Sequence, residues 1–426
     1  MDVAQPVVGR DIGIVGMARS GLAAALLALR HGGRPFVSDT RSEQDLAPPI
    51  ASLRAAGIPY EVGGHTARLT ACDYLILSPG IKPDAPVVQT ARRAGRELYS
   101  EIEFASWLCP CPIVAVTGSN GKTTTTAMTA ALLAAGGFQA AACGNIGRAL
   151  SDVVDSLDRD SVAVVEVSSA QLACVASFRP HIAMILNLTP DHLDWHGSLD
   201  AYRLAKHRIA ARQGREDWLI VNADDAAIQA EAIVTKAARL SFTLTDSDCA
   251  ASVRGSRLWL DVHGTLRPVF EVAHLALPGR HNLANAAAAT LGAALMGVSD
   301  GAIASAVKAF AGVEHRLERV GCLDGVTFVN DSKATNVDAT CVALAAIVAL
   351  IAIILADVLD PLIEDAETKQ ILDGVIVFTI GIMGVYLLNR RMSGWWAALI
   401  FLILLTVIFL FTDSLYELVN GRSLFL

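Results

Sequence analysis

The chain has 426 residues, enough for about three domains with buried cores. Apolar residues make up 53% and charged residues 18%, with a mean hydropathy of +0.46; this excludes a disordered or collagen-like chain and is too apolar for an ordinary soluble enzyme. The net charge is −8, and no Lys/Arg cluster marks a nucleic-acid surface, so no nucleic-acid partner is expected. The excess apolarity is local. Residues 342–426 carry three long apolar runs, whereas the residues before them keep an ordinary soluble balance of charge. Eight cysteines are scattered along the chain; the one close pair, Cys109-Pro110-Cys111, has neither zinc nor thioredoxin spacing and reads as reduced thiols. The opening stretch MDVAQPVVGRD lacks an apolar core, which predicts no signal peptide and a first part that stays in the cytoplasm.

In chain order, Ile12–Val15 predicts a short buried strand running into Gly16, followed by an Ala/Leu-rich helix from Ser20-Gly21-Leu22 to Leu29. Pro35–Ser38, closed by Asp39, and Tyr74–Leu77, closed by Ser78-Pro79-Gly80, predict two more strands. Such alternation implies a parallel α/β sheet with ligands at the carboxyl ends of its strands, assigned to residues 1–105. A second α/β block, residues 106–315, starts with the apolar strand Ile113–Val116. Further strands are expected at Val162–Val167, Ile182–Leu186 and Trp218–Val221, then an antiparallel excursion within Ser241–Val272 and an alanine-rich helix at Ala284–Met296. Gly325–Asn330 begins a third unit, expected over residues 316–340.

The strongest chemical signal is Thr117-Gly118-Ser119-Asn120-Gly121-Lys122-Thr123, which leaves a strand and opens a helix. Triphosphate binding needs exposed backbone N–H groups, a helix N-terminus, a lysine and a hydroxyl for Mg²⁺, and this stretch supplies all four. Glu166 ends the next core strand, where a nucleotide-bound Mg²⁺ takes a hard oxygen ligand. Asp191-His192-Leu193-Asp194 adds a polar cluster after another strand, and Lys206 follows on a helix, where a lysine taken alone is a solvated face. Gly16-Met17-Ala18-Arg19-Ser20-Gly21, with Asp39 about twenty residues on, approximates a dinucleotide fingerprint and raises a rival reading, a nicotinamide-dependent oxidoreductase.

Taken together, Thr117–Thr123, Gly144-Asn145-Ile146-Gly147, Glu166-Val167-Ser168-Ser169, Thr189–Asp194, Pro278-Gly279-Arg280-His281-Asn282 and His315-Arg316 resemble the Mur ligases over residues ~10–340. Asn330-Asp331-Ser332-Lys333-Ala334-Thr335-Asn336 is similar to the form in the D-glutamate-adding branch of that family. The resemblance implies a Rossmann-like N-terminal domain for a UDP-sugar, a P-loop-type central domain for ATP, and the first strand of a C-terminal ligase domain. It displaces the oxidoreductase reading, because the near-fingerprint then serves a UDP-sugar.

The implied activity is ATP-dependent addition of D-glutamate to UDP-N-acetylmuramoyl-L-alanine through an acyl phosphate, a step of peptidoglycan precursor synthesis and so of cell-wall growth, cell shape and division. By the same resemblance, Arg19, Ser20, Asp39, Thr40, Arg41, Ser78, Gly80 and Asn145 would face the UDP substrate. Gly118, Ser119, Asn120, Gly121, Lys122, Thr123, Thr124, Asn282, His315, Arg316 and Asp331 would bind ATP, and Lys333 and Thr335 would lie on the D-glutamate side. Lys122, His192 and Lys206 would be catalytic; Thr123, Glu166, His192 and a carbamylated Lys206 would serve Mg²⁺.

After Thr340 the likeness ends. Ala339–Ala356, Gly374–Asn389 and Met392–Thr412 are free of charge for 18, 16 and 21 residues, and predict about three transmembrane helices over residues 341–426 in place of the rest of the third domain. The acidic loop around Asp357–Glu367 and the Arg390-Arg391 pair predict attachment to the inner membrane, with the N-terminus inside and the C-terminus outside. The alternative reading is a membrane-anchored protein, or a fusion of two unrelated frames, that binds nucleotide and UDP-sugar without turnover.

Overall fold

The computed structural model describes residues 7–262, 264–277, 279–313, 318–323 and 326–330. The described residues form one compact unit with two large sheets and a two-stranded hairpin. The first sheet comprises β1 (Asp11–Val15), β2 (Arg34–Ser38), β3 (Tyr60–Glu61), β4 (Tyr74–Leu77) and β5 (Glu97–Ser100), in the order β3-β2-β1-β4-β5 with every pairing parallel. The strand order reverses between β1 and β4, and the crevice at their carboxyl ends is where such sheets take ligands. The helix Arg19–Arg30 packs on this sheet through Ala23, Ala24, Leu27 and Ala28, small and branched residues spaced along one face.

The second sheet has nine strands: β6 (Ile113–Thr117), β7 (Gln139–Gly144), β8 (Ser161–Glu166), β9 (Ile182–Ile185), β10 (Trp218–Asn222), β11 (Ala238–Phe242), β12 (Ala251–Arg254), β13 (Arg257–Val262) and β14 (Thr265–Glu271). Their order is β14-β13-β12-β11-β10-β9-β6-β8-β7. β6 to β12 pair in parallel, and β12-β13-β14 form the antiparallel excursion expected from the alternating pattern. The register sets the site: Val116 pairs with both Glu166 and Met184, and Gly144 pairs with Glu166. The loops after β6, β7, β8 and β9 therefore open on one edge. A two-stranded hairpin of β15 (Glu318–Leu323) and β16 (Val326–Asn330) closes the described part.

One core cluster runs from Ile12, Ile14 and Val37 through Ile102 and Phe104 of the connecting helix Glu101–Ser106 into Ile113, Val165 and Ile185. On the other face of the second sheet, the helices Lys122–Ala135 and Arg280–Leu295 pack together. Ala286, Ala287, Ala288 and Ala289 are all buried, so this helix is apolar around its whole girth because it is covered around its whole girth.

The expected membrane attachment is corrected here. Among the described residues, no helix is long and apolar enough to cross a membrane. The longest described helix, Arg280–Leu295, has 16 residues and reaches about 24 Å, short of a hydrocarbon core of about 30 Å. The three spans expected at 339–356, 374–389 and 392–412 lie outside the described residues.

Candidate functional site

Gly121, in the left-handed region at φ 83°, turns the loop after β6 into the helix Lys122–Ala135. A Cβ there would lie 2.3 Å from Asn285 Oδ1, so only glycine fits. Neighbouring strands hold the loop in place. Ser119 N–H donates to the Asn187 carbonyl at 3.0 Å, Asn120 N–H to Asn187 Oδ1 at 2.7 Å, and Asn187 Nδ2 returns a bond to the Asn120 carbonyl at 3.0 Å. Ser119 Oγ donates to the Thr189 carbonyl, accepts from Thr189 N–H and lies 2.8 Å from the Tyr202 hydroxyl. Lys122 Nζ donates to the carbonyls of Gly118 and Ser119, both at 2.9 Å. The cation thus sits inside the loop, next to a helix N-terminus whose amides favour anions.

Beside it, Thr123 Oγ1 donates to Glu166 Oε2 at 2.7 Å, and Asn145 Nδ2 to Glu166 Oε1 at 3.0 Å. Glu166 is only 3% exposed. Lys206 lies beneath the loop on the helix Leu199–His207, with Nζ 2.8 Å from the Gly118 carbonyl and 4.7 Å from the centre of the Tyr202 ring. It is 1% exposed, and burial, reinforced by the Lys122 charge, pushes its ammonium well below the usual lysine range despite the carboxylates of Asp191 and Glu166.

Of the expected metal set, the structure joins Thr123 and Glu166 directly, whereas Lys206 meets Lys122 at the Gly118 carbonyl. His192 differs: its ring is largely exposed, 3.7 Å from Asp191, and its backbone is the one non-glycine among the described residues with positive φ, at 51°. Among the described residues no group of three or more His, Cys, Asp or Glu is arranged to hold a metal. Asn282 is buried at the start of the helix Arg280–Leu295, 3.4 Å from Asn285 Nδ2, and Thr124 is buried in the first turn after the loop. His315, Arg316, Asp331, Lys333 and Thr335 lie outside the described residues.

At the first sheet, a cavity of about 810 Å³ opens at the carboxyl ends of the strands, lined by Gly16, Asp39, Thr40, Gly80 and Lys82 among others. Arg19, Ser20, Arg41 and Ser78 do not line it. Gly16 has φ 96°, and a Cβ would strike Ser78 Oγ at 2.6 Å; a Cβ on Gly21 would lie 1.9 Å from the Gly16 carbonyl oxygen. The Asp39 carboxylate is already engaged: Met17 N–H donates to it at 2.8 Å, and Arg41 grips it with Nε at 3.1 Å and Nη2 at 2.8 Å. Burial opposes its charge, but these donors hold its pKa down to about 2. This acid fastens the loop after β1. In the nicotinamide reading it would be turned to a ribose. Asn145, expected with this group, lies on the other sheet at Glu166.

Sequence reading missed the loop-holding roles of Tyr202 and Asn187 and the place of Asn285, whose side chain stands against Gly121. Tyr202 had a local signal, lying one helical turn before Lys206; Asn187 and Asn285 act across strands and helices and had none.

Two family models match the chain: "Mur ligase middle domain" over residues 116–293 and "MurD N-terminal domain" over residues 11–87. It is 44% identical over 345 residues to the UDP-N-acetylmuramoylalanine--D-glutamate ligase of Salinibacter ruber, covering 78% of this chain and 74% of that protein. It is 42% identical over 349 residues to the ligase of the same name from Anaeromyxobacter dehalogenans, covering 79% and 75%. Among solved structures, a murein peptide ligase from Psychrobacter arcticus matches with a TM-score of 0.53 at 22% identity over 79% of this chain and 75% of that one, a likeness of fold.

Proposed function

The chain belongs to the UDP-N-acetylmuramoylalanine--D-glutamate ligase family, and from that premise we propose that it joins D-glutamate to UDP-N-acetylmuramoyl-L-alanine at the expense of ATP. The observation that carries the reading is the phosphate loop itself, with Lys122 on its carbonyls and the Thr123–Glu166 pair at its mouth. The reading as a binding protein without turnover is not favoured, since the likeness spans about three quarters of catalytic relatives.

Residues 1–105 are assigned to the UDP-sugar and 106–315 to ATP, with 316–340 opening the third domain. Gly118 to Thr124 are assigned to ATP: with the Ser119 and Asn120 amides taken up by Asn187, the amides of Gly121 to Thr124 and the Lys122 cation hold and neutralise its phosphates. The Thr123 hydroxyl and Glu166 carboxylate are hard oxygens 2.7 Å apart, and that donor set fits Mg²⁺, which takes one or two protein ligands plus phosphate oxygens. When bound, Mg²⁺ supplies charge neutralisation on the transferring phosphoryl oxygens. Burial favours a neutral amine at Lys206, the form that adds carbon dioxide, so this lysine fits the carbamylated role; His192 completes the assigned set at the rim.

The substrate's L-alanyl carboxylate attacks the γ-phosphorus, giving an acyl phosphate and ADP. The D-glutamate amine then attacks that carbonyl, phosphate leaves, and the amine's proton is lost as the amide forms. Phosphorylation matters because a carboxylate is a poor electrophile. Asp39, Thr40 and Gly80 are assigned to the UDP-substrate cleft with Arg19, Ser20, Arg41 and Ser78 around it, and Asn145 to the substrate end near Glu166. Asn282, His315, Arg316 and Asp331 are assigned to the nucleotide, and Lys333 and Thr335 to D-glutamate. Substrate labelled with oxygen-18 in its alanyl carboxylate tests the route. One labelled oxygen should appear in the released phosphate, and unlabelled phosphate would exclude an acyl phosphate.

A further inference from the structure

Ahead of the phosphate loop, Cys109 and Cys111 flank Pro110 with their sulfurs 3.6 Å apart, in contact and unbonded. Residues two apart span at most about 7 Å, close to the upper limit for bridged cysteines, so side-chain rotation with a small backbone adjustment can bring the sulfurs to about 2.05 Å. Cys109 is half-buried beside the exposed Pro110, whereas Cys111 is buried. The Cys109 thiol donates to the Cys111 carbonyl at 3.6 Å, leaving the Cys111 thiol to donate to Cys109 Sγ.

That bond from Cys111 draws the Cys109 thiol below its usual range against the effect of burial, and the same contact raises Cys111. Burial pushes Cys72 up to about 11, and Cys143 and Cys174 upward as well. Thiolate is therefore concentrated at the more accessible sulfur, with a second thiol already touching it. This is the arrangement of an attacking and a resolving cysteine.

We propose that Cys109 and Cys111 form a reversible thiol–disulfide site, oxidised by a small disulfide of the glutathione type. The Cys109 thiolate attacks one sulfur of the oxidant and expels one thiol. The Cys111 sulfur, giving up its proton, then attacks Cys109 Sγ in the mixed disulfide and expels the second. Two protein thiols are oxidised and one disulfide is reduced to two thiols. The site is independent of the ligase reading, and its place is specific. Trp107 packs edge-on against Tyr74, Tyr99 and Phe104 with ring centres 5.8, 5.0 and 5.8 Å away, and Ile113 opens β6, which feeds the phosphate loop.

The test treats the reduced full chain with oxidised glutathione, blocks the remaining thiols by alkylation and maps peptides by mass. The peptide holding both cysteines should lose two hydrogens, resist alkylation, and recover on reduction with dithiothreitol. Cys111→Ser should stop at a glutathione adduct on Cys109, and Cys109→Ser should leave Cys111 unreacted over the same time. The closed ring should also change a tryptophan emission that Trp107→Phe removes. Both cysteines staying open to alkylation, or an adduct that accumulates on Cys109 of the unsubstituted chain without closing, would overturn the proposal.

Discussion

Lys122 reaches two loop carbonyls at 2.9 Å, and Lys206 reaches one of the same two from below at 2.8 Å, yet the two amines do different work. Lys122 stands at a helix N-terminus and is the loop's own cation. Replacing it with alanine should weaken ATP binding by about 1.5–3 kcal/mol, roughly ten- to a hundred-fold, the range for a hydrogen bond to a charged group. A titration showing unchanged ATP affinity would remove the phosphate-loop assignment. Lys206 is buried and biased toward its neutral form. Lys206→Ala should lose Mg²⁺-dependent turnover and regain part of it when a short carboxylic acid is added, since the acid restores the missing carboxylate. Full activity without the acid would refute a carbamate. Lys122 was legible in the sequence, because glycine-lysine-threonine after an apolar strand has one chemical use. The burial of Lys206 was not, since the Thr117 hydroxyl and Gly118 carbonyl it reaches lie more than eighty residues away in the chain.

At the scale of elements, Gly121 and Glu103 carry the arrangement. Gly121→Ala faces a left-handed backbone, about 1–2 kcal/mol, and a Cβ 2.3 Å from Asn285 Oδ1. Stability and ATP affinity should fall together; a variant with native stability and native affinity would show that this contact does not shape the loop. Glu103, wholly buried, accepts from the backbone N–H groups of Ala176, Ser177 and Phe178 and from Trp107 Nε1, tying the connecting helix Glu101–Ser106 to the second sheet. Glu103→Ala strands these donors and should cost at least about 3 kcal/mol in denaturant unfolding; a loss under 1 kcal/mol would contradict the clamp. The strands ending in glycine or a polar cluster were legible as short apolar runs. β7, rich in alanine, and β3, two residues long, carry too little pattern to read, and the backbone donors that Glu103 holds lie more than seventy residues away.

Across the whole molecule, the connecting helix Glu101–Ser106 meets the helix Leu150–Val153 at Glu101, where Ser151 N–H donates to one carboxyl oxygen at 2.7 Å and the other has no partner among the described residues. Burial raises its pKa to about 7. An unfolded glutamate titrates near about 4.3, so between those values the unfolded chain loses its proton first and stability falls as pH rises toward 7. Glu101→Gln should remove that slope, measured as denaturant midpoints across the window; an unchanged slope would place the titration elsewhere. The α/β frame and the family were legible from motif order over residues ~10–340, whereas the membrane attachment read from the apolar runs was corrected. The central claim rests on one reaction. Purified chain given ATP, Mg²⁺, UDP-N-acetylmuramoyl-L-alanine and D-glutamate should release phosphate stoichiometrically with amide formation, and release should cease when either acceptor or D-glutamate is omitted. Phosphate release indifferent to D-glutamate, or none with all four present, would contradict it.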